Sequence, residues 1–326
     1  MADVIIPQID VHLGPDDLDA ALRADLREGL TIAPKDLPPK WLYDTRGSDL
    51  FDQITRLPEY YPTEAERSIL LAHADDIVAR TRAETIVELG AGTSDKTRAL
   101  LDAARAEGTI RRFIPFDVSE TFLRDAALLL AERYPGLEVH GVVGDFDRHL
   151  DRIPQGDRRL IVLLGGTIGN FQPVERKEFL SDIVAGLQPG DHVLLGTDLI
   201  KSVARMELAY DDPEGVSAAF ATNVLHVMNR TLGAEFDPSH FEYVARWDHD
   251  NEWIDMGLRS RREQAVHIAE LDLDVHFDEG EIMRNEVSSK FDTEVFSDEL
   301  AAVGLDVVAW YHDDDRDFGV SLSTVR

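Results

Sequence analysis

Residues 85–93, Thr85-Ile86-Val87-Glu88-Leu89-Gly90-Ala91-Gly92-Thr93, run from an apolar β-branched segment into a pair of glycines. The stretch from Lys96 to Glu107 then carries a helical apolar period and stops at Gly108. Strand, tight turn and helix follow in that order. Glycine in such a turn lets the backbone approach a ligand without a Cβ clash, and the helix start exposes unpaired N–H groups. Taken alone, Gly90-Ala91-Gly92 is equally compatible with a turn that holds nothing.

The surrounding rhythm extends this unit. From Thr85 to Leu199, short β-branched runs alternate with amphipathic helical runs, the pattern of right-handed βαβ units and a parallel sheet. Arg111 to Val118 reads as a second strand, and Thr121 to Arg133 as a helix capped by Ser119 and stopped at Tyr134-Pro135-Gly136. A third strand ends near Asp145, and Leu160 to Leu164 is a continuous apolar run that suits a strand covered on both faces. A helix over Val174 to Leu187 and a strand over His192 to Thr197 complete this half. Beyond Asp198 a helical stretch reaches about Arg230, and His267 to Phe277 shows antiparallel alternation. Leu305 to Tyr311 and Phe318 to Val325 then predict a terminal hairpin through Asp313-Asp314-Asp315-Arg316-Asp317.

Several residues at the predicted strand ends suit an adenosyl cofactor. Glu88 lies inside the first strand, and position 95, where dinucleotide binders place a third glycine, holds Asp95. Asp117, 27 residues beyond Gly90, falls at the end of the second strand, where a carboxylate can accept both ribose hydroxyls or cap the next helix. Asp145 and Phe146 offer a carboxylate for an adenine amine and a ring for its face; a solvated turn acid is the alternative. Lys96 suits a methionyl carboxylate at the helix start, and would also be unremarkable as a surface lysine. Together with Gly90 and Gly92 they point to S-adenosylmethionine as cosubstrate. The expected fold is α/β, a class I methyltransferase Rossmann-like seven-stranded sheet with an additional α+β acceptor-binding lobe. Residues 64–200, completed by 290–326, form the expected core, and residues 1–63 with 201–289 the lobe.

Composition narrows the partners. The 326 residues carry 63 Asp plus Glu against 33 Lys plus Arg, a formal charge of −30 that repels phosphate backbones and anionic membranes. Nucleic acid and membrane are therefore not expected as partners, and a solvated, solubilising surface is. The absence of cysteine removes disulfides, thiolate metal sites and cysteine nucleophiles. No metal is expected: the 11 histidines show no ligand spacing, and Asp248-His249-Asp250-Asn251-Glu252 lacks the glycine of a calcium loop. With no apolar leader at Met1-Ala2-Asp3-Val4-Ile5-Ile6-Pro7, a cytoplasmic monomer is the expectation.

Five further motifs run through the chain: Pro38-Pro39-Lys40-Trp41-Leu42-Tyr43-Asp44, Gly47-Ser48-Asp49-Leu50-Phe51-Asp52-Gln53-Ile54, Leu57-Pro58-Glu59-Tyr60-Tyr61-Pro62-Thr63, Gly165-Gly166-Thr167-Ile168-Gly169-Asn170 and Glu286-Val287-Ser288-Ser289-Lys290-Phe291. On these motifs the sequence resembles the histidine-specific, S-adenosylmethionine-dependent Nα-methyltransferases of ergothioneine biosynthesis over essentially its whole length. The resemblance implies three methyl transfers to the α-amine of L-histidine, giving hercynine. It implies Asn170 and Tyr210 at the substrate carboxylate, Tyr60 at the amine, and Glu286 with Ser288 at the imidazole. Gly165, Val287 and Met256 belong to the same expected site, with Phe51, Tyr43 and Tyr60 as an aromatic wall for a methylated cation. Tyr60 is also the candidate to help remove the amine proton.

The residue types suit that chemistry. Neutral donors hold a carboxylate without a strong positive anchor. Glu286 and Ser288, two apart in an extended segment, face one side and can each meet one ring nitrogen. Plainer readings stay open: Asn170 as a helix cap before Gln172-Pro173, Tyr210 as an ordinary helix residue, Tyr60 beside Tyr61 as packing, Glu286 as solvated surface. Gly257 sits where relatives often carry a bulkier residue. An N-methyltransferase for another amino acid such as tryptophan is the nearest rival, although an indole offers the Glu286 and Ser288 pair only one donor. A silent S-adenosylmethionine-binding protein is the other.

Overall fold

A computed structural model describes residues 6–326 except Thr93 and Asp95, with the side chains of Pro15 and Asp147 also left aside. The expectations attached to Met1–Ile5, Thr93 and Asp95 therefore lie outside the described residues. The strands are β1 (Gln8–Val11), β2 (Thr85–Leu89), β3 (Arg112–Asp117), β4 (Glu138–Val143), β5 (Arg159–Leu163), β6 (His192–Asp198), β7 (Phe241–Asp248), β8 (Trp253–Ser260), β9 (Gln264–Ile268), β10 (Leu273–Phe277), β11 (Ile282–Ser289), β12 (Leu305–His312) and β13 (Phe318–Val325). The helices are α1 (Pro15–Thr31), α2 (Thr45–Ile54), α3 (Pro62–Thr81), α4 (Arg98–Glu107), α5 (Glu120–Arg133), α6 (Phe146–His149), α7 (Pro173–Ala185), α8 (Val203–Tyr210), α9 (Val216–Leu232) and α10 (Thr293–Ala302).

The chain divides into two units, one of residues up to Gly14, Glu64–Leu199 and Phe291–Arg326, the other of Pro15–Thr63 and Ile200–Lys290. The first unit is built on one sheet, ordered β1-β4-β3-β2-β5-β6-β13-β12 among the described residues. Strands β1 to β6 pair in parallel, and β13 runs antiparallel to both β6 and β12. The seven expected strands are present, and β1 adds an eighth at the edge beside β4. That pairing is why residues 6–14 group with the sheet, where the sequence reading had grouped residues 1–63 with the lobe. Every residue of β2 and β5 is buried, which is why Leu160 to Leu164 reads as a continuous apolar run. The sheet order reverses between β2 and β5, and in open α/β sheets that switch point is where ligands bind.

The second unit packs α1, α2, α8 and α9 with a three-stranded antiparallel sheet, β11-β8-β7, and a hairpin, β9 and β10. Its core gathers Leu26, Leu42, Val224, Leu225, Met228 and Leu258, all nearly sealed from solvent. Part of the Tyr43-Asp44 and Gly47 motifs has a structural purpose here. The Asp44 carboxylate caps α2 by accepting the Gly47 N–H at 2.8 Å, and the Asn223 amide of α9 donates to it at 2.7 Å. A Cβ at Gly47 would lie 1.7 Å from the Leu42 carbonyl oxygen, so only glycine fits that turn. No described helix is long and apolar enough to cross a membrane.

One buried ion pair ties β5 to the segment before β6. The Asp191 carboxylate accepts from Arg159 Nε at 3.0 Å, Arg159 Nη2 at 2.6 Å and the Arg159 backbone N–H at 2.8 Å. Both side chains are at most 3% exposed. Asp191→Ala strands the guanidinium in the interior, so it is expected to cost about 3–5 kcal/mol of stability, read by denaturant or thermal unfolding. A loss below about 1 kcal/mol would mean that Arg159 reaches water when its partner is gone.

Candidate active site

The expected cofactor residues cluster at the carboxyl ends of β2, β3 and β4. Gly90 and Gly92 leave β2 with φ of +71° and +47°, a left-handed backbone that glycine adopts without strain. A side chain at Gly92 would meet nothing within 4 Å, so the loop presents open backbone. Asp117 ends β3 with its carboxylate turned onto this loop, accepting the Gly92 N–H at 3.0 Å and the Ser119 N–H at 2.9 Å. Burial raises its pKa, against the lowering effect of those N–H groups. Each oxygen keeps a lone pair for a ligand hydroxyl. Ser119 is the N-cap of α5, as read from sequence, but its side chain makes no cap bond.

Strand β4 stops at Val143, two residues earlier than expected, so Asp145 and Phe146 belong to the following turn and to α6. Asp145 is 8% exposed. The Phe146 ring stacks on Phe116 of β3 at 5.6 Å and lies within 3.5 Å of the place a Cβ on Gly90 would take. Carboxylates, open glycine backbone and an aromatic face thus converge as an adenosyl group requires.

Lys96 has a partner within the protein. Its ammonium is engaged by Glu66 of α3, a carboxylate with no exposed side-chain surface. Both Glu66 oxygens also accept the Gly165 N–H at 2.8 Å. A Cβ on Gly196 of β6 would fall 1.9 Å from Glu66 Oε1, which explains the glycine in that strand. Glu66 thus fixes the Lys96 ammonium near the helix start, and the side chain, 22% exposed, keeps further N–H donors for a ligand carboxylate. Glu66 escaped the sequence reading because one acid in a helical stretch carries no signal until its partners are located.

Glu88 is the second buried acid. Its carboxyl accepts from the Thr97 hydroxyl, and Oε2 meets no partner among the described residues. Burial pushes its pKa up to about 7, against the lowering influence of Ser94, Thr97 and Lys96.

The expected acceptor residues of the second unit also converge. Tyr60, 8% exposed, packs edge-on against Phe51 at 6.4 Å and against Tyr210 at 5.8 Å. Tyr43 lies edge-on to Phe51 at 5.5 Å and to Phe220 at 5.1 Å. Phe220, on α9, was not anticipated. Tyr43 keeps 36% of its surface exposed. Its phenol is nonetheless raised well above the usual tyrosine range, first by burial and then by Glu286, Tyr60 and Tyr210.

Glu286 and Ser288 lie on β11 opposite Met256 and Ile254 of β8, beyond a register shift at Arg284. Val287 faces Asp255 in the ladder and is 4% exposed; Met256 is 3% exposed. A Cβ on Gly257 would lie 2.7 Å from Ile282 Cγ2 and from the Met283 carbonyl oxygen, so this strand pairing excludes a bulkier residue there. The Tyr210 hydroxyl is 2.9 Å from Ser288 Oγ, and the Tyr243 hydroxyl of β7 donates to the Tyr210 carbonyl at 2.8 Å. Burial and Glu286 raise the Tyr243 phenol well above its usual range as well. Tyr243 was missed by the sequence reading. Gly165 and Asn170 belong to the first unit: Gly165 holds φ of +81°, and Asn170 ends a 3-10 turn, Thr167–Asn170. The cap of α7 is Gln172, not Asn170.

Among the described residues one group of carboxylates has metal-like spacing, Asp313, Asp315 and Asp317, within 4.8 Å of one another. Asp313 accepts the Phe318 N–H at 2.7 Å and the Asp315 N–H at 3.2 Å, which makes the group the turn of the β12–β13 hairpin.

Sheet order, glycine turn and strand-end acids together define a class I α/β methyltransferase. The chain belongs to the histidine-specific, S-adenosylmethionine-dependent methyltransferase family, whose profile matches residues 22–325. It is 55% identical to a histidine N-alpha-methyltransferase of Mycolicibacterium smegmatis, over 96% of this chain and 97% of that protein. It is 53% identical to a histidine N-alpha-methyltransferase of Mycobacterium tuberculosis over the same shares. With ergothioneine biosynthesis protein 1 of Schizosaccharomyces pombe it shares 34% identity, over 66% of this chain and 29% of that protein.

The acid at Glu88 has a pH consequence. Its folded pKa, about 7, lies above the ordinary 4.5, so the native state binds the proton more tightly than the unfolded chain. Its contribution is most favourable below pH 4.5 and is lost as pH rises to 7, by on the order of 3 kcal/mol. Glu88→Gln should therefore gain stability relative to the parent between pH 5 and pH 8, measured by denaturant unfolding at both. A stability difference that is flat with pH would place the carboxyl in contact with solvent.

Proposed function

We propose that this chain transfers three methyl groups in succession from S-adenosylmethionine to the α-amine of L-histidine. The products are hercynine and S-adenosylhomocysteine, and the reaction is the first step of ergothioneine formation. The observation that carries the reading is the Glu286 and Ser288 pair on β11, with Ser288 at 2.9 Å from the Tyr210 hydroxyl and Glu286 opposite Met256 in the ladder, in a chain of the histidine-specific family. Glu286 accepts one imidazole N–H, and Ser288 serves the other ring nitrogen. Tyr210 and Asn170 are the proposed neutral donors to the carboxylate. The two mycobacterial relatives, both histidine N-alpha-methyltransferases, support histidine as the acceptor.

Methyl transfer from a sulfonium is a direct displacement: nitrogen bonds to the methyl carbon as carbon–sulfur breaks, and the thioether keeps the electron pair. S-adenosylmethionine supplies the electrophilic methyl. The protein's own residues position and desolvate. Asp117, Asp145, Phe146 and the glycine turn hold the adenosyl portion. Lys96, held by Glu66, is proposed to meet the methionyl carboxylate through its remaining N–H donors. Each transfer needs a neutral amine, and Tyr60 is proposed to take its proton, directly or through water, in a pocket narrowed by Phe51 and Tyr210. Once three methyls are present the nitrogen is a fixed cation, which the faces of Tyr43, Phe51 and Tyr60 accommodate. No step requires a metal or a covalent intermediate. We further infer a cytoplasmic monomer that binds neither nucleic acid nor membrane, on the support of its charge of −30.

Mass spectrometry of histidine incubated with the protein and S-adenosylmethionine should show mono-, di- and trimethylated species. Preference for tryptophan in a panel of amino acids would overturn the acceptor, and absence of turnover on every member would favour a binding protein. Glu286→Ala should raise the KM for histidine about tenfold or more while leaving S-adenosylmethionine affinity near the parent value. Asp117→Ala should do the reverse, and undiminished affinity for S-adenosylmethionine in that variant would remove Asp117 from the cofactor site.

A further inference from the structure

Lys290 follows β11 in the second unit and is 2% exposed. Its Nζ lies 2.8 Å from the Tyr210 hydroxyl, 2.6 Å from Ser288 Oγ and 4.2 Å from the centre of the Tyr210 ring. The two hydroxyl oxygens are 2.9 Å apart, so the three groups close a triangle. The Lys290 backbone N–H donates to the Glu252 carbonyl at 2.8 Å, which anchors the residue independently of its side chain.

An amine head of this kind donates and, when charged, cannot accept. It therefore occupies one lone pair on each hydroxyl oxygen, and of the two hydroxyl protons only one fits between the oxygens. We propose that Lys290 is a positioning residue that keeps Tyr210 and Ser288 as donors toward the amino acid, so that the site takes histidine with its ring neutral. The inference rests on the histidine reading above. A ligand presenting two acceptors, a carboxylate and a bare ring nitrogen, can take both hydroxyl protons, because Lys290 still satisfies both oxygens. An imidazolium has no bare nitrogen, and its charge would sit near an ammonium in a dry site, where like charges repel most strongly. Among the described residues, the charged and titratable groups that act on the neighbouring phenols Tyr43 and Tyr243 are Glu286 on the same strand, Tyr60 and Tyr210, and Asp211 and Asp212 beyond α8.

The test is calorimetric titration of L-histidine into the full chain saturated with S-adenosylhomocysteine, from pH 5.5 to pH 8.5. The parent protein should lose about tenfold in affinity per pH unit below the ring pKa of about 6.5. In Lys290→Met the affinity at pH 8 should fall about tenfold or more, and the loss below pH 6.5 should flatten, with S-adenosylhomocysteine binding unchanged. Lys290→Gln, which keeps N–H donors without charge, covers the case in which the Met variant does not fold; it should retain most of the affinity at pH 8 and also flatten the acid limb. Parent-like affinity and pH profile in the variant that folds would overturn the role of Lys290, as would a uniform loss at every pH. Failure of the parent protein itself to bind histidine is a different result, and it would sink the histidine reading.

Discussion

The carboxylate of Glu66 is sealed from solvent on α3, and a buried carboxylate must find donors or destabilise the fold. It finds the Lys96 ammonium ahead of α4 and the Gly165 N–H beyond β5, 99 residues away in sequence. It also fills the space above Gly196 that any Cβ would claim. Three segments are held around one charge, and two of them flank the point where the sheet order reverses. The glycine turn after β2 begins beside this junction, so its shape depends on an acid that itself touches no substrate in the proposed reaction.

The second unit solves a related problem with uncharged groups and one cation. Tyr43, Phe51, Tyr60, Tyr210 and Phe220 form a chain of edge-on and tilted ring contacts, each between 5.1 and 6.4 Å. Such rings present negative faces to a quaternary nitrogen. The polar members sit at the end of that wall, where Tyr210, Ser288 and Lys290 satisfy one another. A buried polar group left unpaired is costly, so the triangle holds its geometry before any ligand arrives.

Residues in the motifs that carry the resemblance are not all residues that react. Asp44 and Gly47 belong to motifs of the family, yet in this chain they cap α2 and let it pass the Leu42 carbonyl. Gly257 is enforced by the close approach of β11. Lys96 has the residue type and location of a carboxylate binder, and Glu66 fixes it in place. Each case turns on a contact between positions far apart in sequence, which composition and spacing do not display.

Periodicity and turn chemistry are local, and what they encode was readable directly. The bounds of β2, the helix after it, the covered strand β5, the terminal hairpin and the strand-end acid Asp117 follow from apolar period, glycine placement and caps within a few residues. The acceptor residues were legible only through whole motifs, because Glu286 or Tyr60 alone resembles any surface acid or packed ring. Tertiary structure decided the rest: that residues 8–11 join the sheet as β1, that Glu66 claims Lys96, that Phe220 and Tyr243 line the aromatic cluster, and that Lys290 serves Tyr210 and Ser288. The physical reason is common to all four. A charge or a ring acquires its role from the partner that burial forces upon it, and that partner is chosen by the packing of distant segments.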